Sequence, residues 1–338
     1  PAPDFAAFQE RHETTCVGDP AERQAAPTTY DHAGFHYVID GGKGLVRRTK
    51  PRKVPGEVRL GVLSSIRDFE KETKANLDDF LAKFRAADVD AVLVNGDVAI
   101  NEHEIEPILR YVAKLDVPVL AVIGNAENRS AFNRAAALAH QDAPNVLNTD
   151  LVRTLDLDGW DAVSLPGYYD PKYTHQSGYC MYSRDDVRAL GKLAKELEGP
   201  VVLLSHGPPR QTGPEALDFV SPKVGNVGDE TLALVLKKNP IPFGAFGHIG
   251  EAGGRATDLA GTTEIPPGQL SDTLYVNPGW ANSLPWRMNR GPTNYGRAAI
   301  LTIVGKQAKW EGFVSPQRIG KSNEARMRST EPRMKNGK

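Results

Sequence analysis

Four short segments of this 338-residue chain join an apolar run to a tight turn that carries a side chain able to bind metal. The turns hold Asp97, Asn125, His206 and His248, and residues 92–94 are one of the apolar runs. Parallel strands bring their carboxyl ends to one edge of a sheet, where open α/β sheets bind ligands, so we expect the four side chains to meet. Carboxylate, amide and imidazole groups together suit a divalent metal such as Mn, Zn or Fe. The sequence therefore predicts one metal site.

The elements that must position these side chains alternate along the first half of the chain. Strand-like runs at 58–64, 91–94 and 119–123 are each followed by a segment with helical spacing of apolar residues or a high alanine content. This β-α-β-α-β-α order predicts a parallel sheet with right-handed crossovers. Short alternating pieces over 145–167 indicate antiparallel strands. Later strands are predicted at 201–204, 243–246, 274–276, 298–304 and 308–314.

The order of these motifs resembles the calcineurin-like metallophosphoesterase family. The family pattern runs Asp-x-His, Gly-Asp, Gly-Asn-His-Asp/Glu, a His after a strand, and Gly-His-x-His. All five motif positions occur in order within residues 57–315. The resemblance implies an α/β fold, a four-layer α-β-β-α sandwich of two mixed sheets flanked by helices. It also implies an active site with two metals at the strand ends.

The chain departs from the family pattern at three of these motifs. In the first motif Ser65 stands in place of the Asp, and Arg67 stands in place of the His. In the third, Ala126 replaces a His that helps to protonate the leaving group, and in the fifth, Gly250 replaces the last His. One metal of the family is bound by the first-motif pair, the bridging Asp and this last His. Three of its four ligands are therefore missing.

The other metal of the family keeps a full set of ligands. The resemblance assigns it the bridging Asp, the Asn and two His residues, which here are Asp97, Asn125, His206 and His248. These residues could instead form a relic polar cluster held by hydrogen bonds. Arg67 could clamp a phosphate or carboxylate, substitute for the lost cation, or pair with Asp97 and fill the space.

Two nearby side chains also have alternative interpretations. Glu127 could replace a lost ligand, but we favour a carboxylate that belongs to the loop. His103 lies close after Asp97 in the chain, and we interpret it as a surface residue rather than a recruited ligand.

These losses bear on the expected activity. Hydrolysis by two metals uses both ions to clamp the attacking and leaving oxygens, and a single ion loses that geometry. Loss of the general acid at position 126 commonly costs on the order of 10²–10⁴ in rate. We therefore expect a pseudoenzyme, a binding or structural component with weak or no phosphatase activity. The alternative is a single-metal phosphomonoesterase or phosphodiesterase in which Arg67 holds the anionic group of the substrate.

Composition disfavours other classes of function. The chain has 41 basic and 42 acidic residues, so its overall charge does not indicate binding to nucleic acid or to a membrane surface. No apolar run approaches the length of a membrane span. We divide the chain into an irregular N-terminal extension (1–56), a metallophosphoesterase-like domain (57–315) and a basic, disordered tail (316–338). A protein partner is expected at the extension, at the loop 249–272 or at the tail.

The cysteines and the first residue bear on the compartment. We interpret Cys16 and Cys180 as free thiols, with one disulfide as the alternative in an oxidising compartment. The chain begins at Pro1, which is compatible with loss of an initiator Met or with a removed leader. We expect a periplasmic or secreted protein rather than a cytoplasmic one.

Overall fold

The computed structural model describes residues 3–175, 177–289, 291, 293–294 and 296–316. Within these residues the α-helices are α1 (Pro3–Arg11), α2 (Lys71–Ala87), α3 (Glu102–Ala113), α4 (Arg129–Asp142), α5 (Arg184–Leu193) and α6 (Glu230–Lys238). Short 3-10 turns lie at Pro171–Tyr173, Ala194–Glu196 and Gly250–Ala252.

The strands fall into two large sheets and two small hairpins. In chain order they are β1 (Thr28–His32), β2 (Phe35–Asp40), β3 (Lys43–Arg48), β4 (Glu57–Leu63), β5 (Ala91–Asn95), β6 (Val119–Val122), β7 (Val146–Asn148), β8 (Thr154–Leu157), β9 (Trp160–Leu165), β10 (Val201–Ser205), β11 (Phe219–Ser221), β12 (Gly225–Asn226), β13 (Phe243–Ala245), β14 (Arg255–Thr257), β15 (Leu274–Asn277), β16 (Trp286–Arg287), β17 (Thr293–Asn294), β18 (Arg297–Val304) and β19 (Gln307–Val314). The hairpins are β11–β12 and β16–β17.

The smaller of the two large sheets has the order β19-β18-β4-β5-β6-β7. Strands β4 to β7 are parallel, as the alternating order of strands and helices predicts. Helices α3 and α4 begin where Asn101 and Asn128 accept N–H groups of the first turn through their side chains. The apolar faces of α2, α3 and α4 pack on the outer face of this sheet.

The larger sheet has nine strands in the order β1-β2-β3-β8-β9-β10-β13-β15-β14. Its centre, β9-β10-β13-β15, is parallel, and both edges are antiparallel. Helix α5 begins with a capping box between Ser183 and Asp186. Helices α5 and α6 bury their apolar faces on the outer side of this sheet.

The facing sides of the two sheets share one apolar core. Leu93 and Leu120 of the six-stranded sheet belong to the same buried cluster as Leu204 and Val276 of the nine-stranded sheet. Helices therefore cover both outer faces, and the expected four-layer sandwich of two mixed sheets is confirmed. The carboxyl ends of the central parallel strands of both sheets meet at one side of the molecule, where the predicted metal ligands lie.

The N-terminal segment differs from the irregular extension that we expected over 1–56. It contains α1 and the strands β1 to β3, and β3 pairs in parallel with β8, which adds three strands to the larger sheet. The physical reason is the alternation of Phe35, Tyr37 and Ile39, which buries one face of β2 in the core between the sheets. The basic tail expected to be disordered lies outside the described residues, apart from residue 316.

Cys16 and Cys180 form a disulfide with an S–S distance of 2.02 Å. Our preferred interpretation of free thiols was therefore wrong, and the alternative holds. The two cysteines are 164 residues apart, so only the fold, which brings the segment after α1 next to the loop before α5, places them together.

The described residues contain no helix that is both long enough and apolar enough to cross a membrane.

Candidate metal centre and its cleft

The structure brings together the four side chains that the sequence singles out as ligands. Asp97 and Asn125 lie in the turns after β5 and β6, and His206 and His248 lie in those after β10 and β13. The Nε2 atom of His206 lies 2.8 Å from Oδ1 of Asn125 and 3.3 Å from Oδ1 of Asp97. The Nδ1 atom of His248 lies 3.2 Å from the same Nε2. The two sheets thus contribute two ligands each to one cluster.

Hydrogen bonds outside the cluster orient two of these groups. Nδ1 of His206 lies 2.9 Å from the backbone oxygen of Asn95. Because a carbonyl oxygen can only accept, Nδ1 is the donor in this hydrogen bond. In a neutral imidazole the other nitrogen, Nε2, then carries a lone pair that faces the cluster. The Nδ2 group of Asn125 donates to the backbone oxygen of Tyr173, so its Oδ1 also faces the cluster. Acceptor atoms from His206, Asn125 and Asp97 therefore converge, which suits a bound cation.

The charges of the cluster favour metal binding. Burial by itself would raise the pKa of Asp97, but the interactions with His206, with the Arg67 guanidinium and with His248, together with the N–H of Ala126, outweigh it and lower the pKa. Burial, reinforced by His206, lowers the pKa of His248 to about 3. An ionised carboxylate and a neutral imidazole are the protonation states that metals bind.

The strong ligands alone do not make a recognisable metal site. Counting only His, Cys, Asp and Glu, the described residues contain no group of three or more that could hold a metal ion. The candidate shell therefore depends on the amide oxygen of Asn125 together with Asp97, His206 and His248. A divalent cation held by these four side chains would polarise a phosphoryl oxygen.

Arg67 lies on the other side of the Asp97 carboxylate. Its Nε is 3.9 Å from Oδ2 of Asp97, whereas Oδ1 faces His206. The guanidinium carbon lies 4.9 Å from the ring centroid of Trp280, within the range of a cation–π interaction. Ser65 is fully buried, and its hydroxyl lies 3.4 Å from that of Ser64. Arg67 therefore lies close to both the Asp97 carboxylate and an aromatic ring.

Backbone strain is concentrated in the same turns. Ser65, Arg67 and Asp97 have φ angles of 49°, 67° and 52°, in the left-handed region that residues other than glycine rarely adopt. The backbone N–H of Arg67 donates to the backbone oxygen of Asp97 at 3.0 Å, and that of Ser65 donates to Gly96 at 3.0 Å. These bonds hold the first two motifs in one geometry, as is common where strain persists at a functional site.

Gly250 stands where the family motif has its last His. A Cβ atom added here would lie 2.7 Å from Cε2 and 2.8 Å from Cζ2 of the Trp280 ring. The ring therefore occupies the space that the last His of the family motif would need. No motif pointed to Trp280 in the sequence, although it directly follows the turn Asn277-Pro278-Gly279.

Gly250→Ala is expected to reduce the free energy of unfolding by about 1–3 kcal/mol, the usual cost of overpacking. Urea denaturation measures this change. In a Trp280→Leu background the same substitution should cost much less, since the ring that it meets is gone. Equal costs in both backgrounds would show that the ring does not fill this space.

Glu127 is fully buried and connects two of the turns. One carboxylate oxygen accepts the backbone N–H of Val98, and the other accepts that of Gly124 at 3.0 Å. Burial first, and then the negative charge of Asp97, raise its pKa to about 8. Both oxygens face backbone amides, which agrees with our interpretation of Glu127 as a loop carboxylate. His103 is exposed on α3, as we interpreted it.

The cluster opens into a cleft of about 540 Å³, within the usual range for small-molecule sites. His248 lies at its inner end, where its ring centroid is 4.2 Å from that of Tyr168. Its walls are mainly apolar and aromatic, a feature that motif reading does not predict. They include Tyr168, Tyr173, Val220, Val224, Val227, Ile249, Trp280, Leu284 and Trp286.

The sandwich fold and the ligands at its strand ends define a phosphoesterase-like α/β protein. A model of the calcineurin-like phosphoesterase family matches residues 59–251, more than half of the chain, and the chain belongs to this family. The expected family resemblance is thus confirmed. The curated proteins contain no match.

Several solved structures are similar to this one. The protein TT1561 of Thermus thermophilus has a TM-score of 0.51 and 13% identity over 76% of this chain and 98% of its own. A dimetal phosphatase from Danio rerio has a TM-score of 0.44 and 14% identity over 77% of this chain and 99% of its own. GAP50, the anchor in the inner membrane complex of Plasmodium, has a TM-score of 0.46 and 12% identity over 82% of this chain and 95% of its own. At these identities the first likeness shows the fold alone, and the two lower scores carry no argument.

Proposed function

We propose that this protein is a calcineurin-like phosphoesterase with a depleted metal centre, which binds ligands and has weak or no phosphatase activity. It would hold one divalent cation through Asp97, Asn125, His206 and His248. The observation that carries the proposal is the position of Arg67, whose guanidinium faces the second oxygen of Asp97.

The chemistry of arginine supports a loss of hydrolysis. A guanidinium supplies positive charge and can hold a phosphate or carboxylate in a bidentate manner. It does not lose a proton near neutral pH, so it cannot generate the hydroxide that a pair of metals provides. The cleft can therefore keep its affinity for anions while it loses its nucleophile.

Residue 126, at the position of the family's general acid, also supports a loss of hydrolysis. Ala126 is fully buried, and its backbone N–H donates to Oδ1 of Asp97 at 3.1 Å. The residue thus keeps a structural role in the metal turn and offers no proton to a leaving group.

A single-metal phosphomonoesterase or phosphodiesterase is the competing function, and one observation favours it. His175 lines the cleft, and its backbone N–H donates to the backbone oxygen of Asn125 at 3.2 Å. Its imidazole would be the available proton donor in place of the one lost at position 126. In that case Arg67 would hold the anionic group of the substrate.

The proposal extends to partner and compartment. A protein partner would contact residues 1–56, the loop 249–272 or the basic tail, and the exposed side chain of Leu270 supports the loop. A periplasmic or secreted location is supported by the Cys16–Cys180 disulfide, since such bonds persist mainly in oxidising compartments.

Phosphatase assays with added Mn²⁺ test the proposed function. The unmodified protein and its Asp97→Asn and His175→Ala variants would be compared on a phosphomonoester and a phosphodiester. We expect equal, background-level turnover from all three. Turnover that disappears in Asp97→Asn and falls in His175→Ala would establish the single-metal hydrolase instead.

A further inference from the structure

Exposed apolar side chains surround the mouth of the cleft. Val224, in the turn of the β11–β12 hairpin, is 55% exposed, and Trp286 on β16 is 37% exposed. With Tyr173, they make up three of the nine large exposed hydrophobic side chains among the described residues, and all three line this one cleft. Such clustering is typical of a binding groove rather than of an ordinary surface.

The cleft also contains a buried guanidinium beside the Asp97 carboxylate. Arg67 lies there with its guanidinium over the Trp280 ring, and its side chain is only 15% exposed. Nε of Arg67 and Nε1 of Trp280 are buried and have no hydrogen-bond partner within the described part of the chain. Buried donors without an acceptor are rare, and here they belong to two side chains that line the same cleft.

We propose that the cleft binds a single-chain amphiphile whose anionic head meets Arg67 and whose apolar body lies along Val220, Val224, Val227 and Trp286. This inference rests on the proposed function, because a ligand that is not hydrolysed must be held by affinity alone. The walls supply apolar area over the length of the cleft, and the single guanidinium fixes which end of the ligand points inward.

Acidic side chains in the cleft would favour a cationic head group instead. Asp68 and Glu251 also line it. Asp68 accepts the backbone N–H of Glu70 at 3.1 Å, and burial raises the pKa of Glu251. Arg67 is held against the ring of Trp280 at the inner end. The geometry therefore favours an anionic head over a cationic one.

Calorimetric titration of the unmodified protein with three probes tests this inference. The probes are octyl phosphate, inorganic phosphate and octyltrimethylammonium, each below its micelle concentration and with Mn²⁺ present. We expect octyl phosphate to bind at least about ten-fold more tightly than inorganic phosphate, which corresponds to burial of about two methylene groups. Octyltrimethylammonium should bind more weakly than octyl phosphate. Equal affinity for the two phosphates, or stronger binding of the ammonium probe, would overturn the inference.

Two substitutions separate the contributions of body and head. Val224→Ser should weaken octyl phosphate binding about five-fold and leave inorganic phosphate binding unchanged, because it removes apolar contact only. Leu234→Ser on α6 is the matched control, since Leu234 is 70% exposed and does not line the cleft. Arg67→Gln should weaken both phosphates. Equal effects of Val224→Ser and Leu234→Ser would contradict the inference.

A failure of this inference can be distinguished from a failure of the proposed function. Hydrolysis of octyl phosphate that depends on Asp97 would overturn the pseudoenzyme proposal and support an amphiphile in the cleft. Absence of turnover together with no preference for octyl phosphate would overturn the inference alone.

Discussion

We expect the Asp97→Asn variant to bind Mn²⁺ at least about 100-fold more weakly than the unmodified protein, since loss of even an orienting partner of a ligand costs 10- to 100-fold. Asp97 is the only carboxylate among the four candidate ligands, and its Oδ1 faces His206 at 3.3 Å. The amide keeps an oxygen for the N–H of Ala126 but loses the negative charge. Isothermal titration calorimetry with MnCl₂ measures the change.

Asp68→Asn provides the matched control for this prediction. Asp68 lines the same cleft and undergoes the same loss of charge, but it is not among the convergent ligands. We expect its Mn²⁺ affinity to stay within a few-fold of the unmodified protein. Comparable losses in both variants would mean that the ion responds to the general charge of the cleft, and the relic-cluster interpretation would then be preferred.

Loss of the disulfide is expected to have the largest effect on stability. Its closed loop spans 164 residues, and replacing Cys16 and Cys180 by serine should reduce the free energy of unfolding by about 5 kcal/mol, the loop-entropy value for so long a loop. The bond ties the segment after α1 to the loop before α5. Urea denaturation in the absence of metal measures the change.

Reduction provides the control for the disulfide prediction. Dithiothreitol should lower the denaturation midpoint of the unmodified protein and leave that of the double serine variant unchanged. A midpoint that does not respond to reductant in either protein would contradict the presence of a stabilising bond between these cysteines.

Sequence reasoning could place the central strands and the candidate ligands because both leave a local signal. Asp97 and His206 each follow an apolar run at a turn, and the order of the motifs identifies the family. The capping box at Ser183 and Asp186 is likewise contained within four residues. Such features depend on neighbouring residues alone, so they can be read before any fold is known.

The remaining features depend on contacts between distant parts of the chain. Cys16 meets Cys180 only after the sheets have assembled, and β3 joins β8 across more than 100 residues. Trp280 has no motif, yet its ring fills the position that a side chain at Gly250 would need. The role of Glu127 follows from backbone amides in two turns, one of which lies 29 residues away. No local pattern encodes these partners.

The alternation of Phe35, Tyr37 and Ile39 is a local signal within the segment that we expected to be irregular. It predicts the strand β2 correctly, since these three side chains are buried and their neighbours are not. The low periodicity around it led us to treat the whole segment as irregular. Pairing with the larger sheet stabilises β1 and β3, which are too polar to be recognised alone.

The most direct test of the account is to count the metal ions at the centre. Anomalous diffraction from crystals soaked in MnCl₂ would locate each bound ion. We predict a single ion surrounded by Asp97, Asn125, His206 and His248, with the guanidinium of Arg67 on the far side of the Asp97 carboxylate. Two ions about 3.5–4 Å apart, the spacing of two-metal hydrolases, would contradict it. So would an ion that avoids these four side chains.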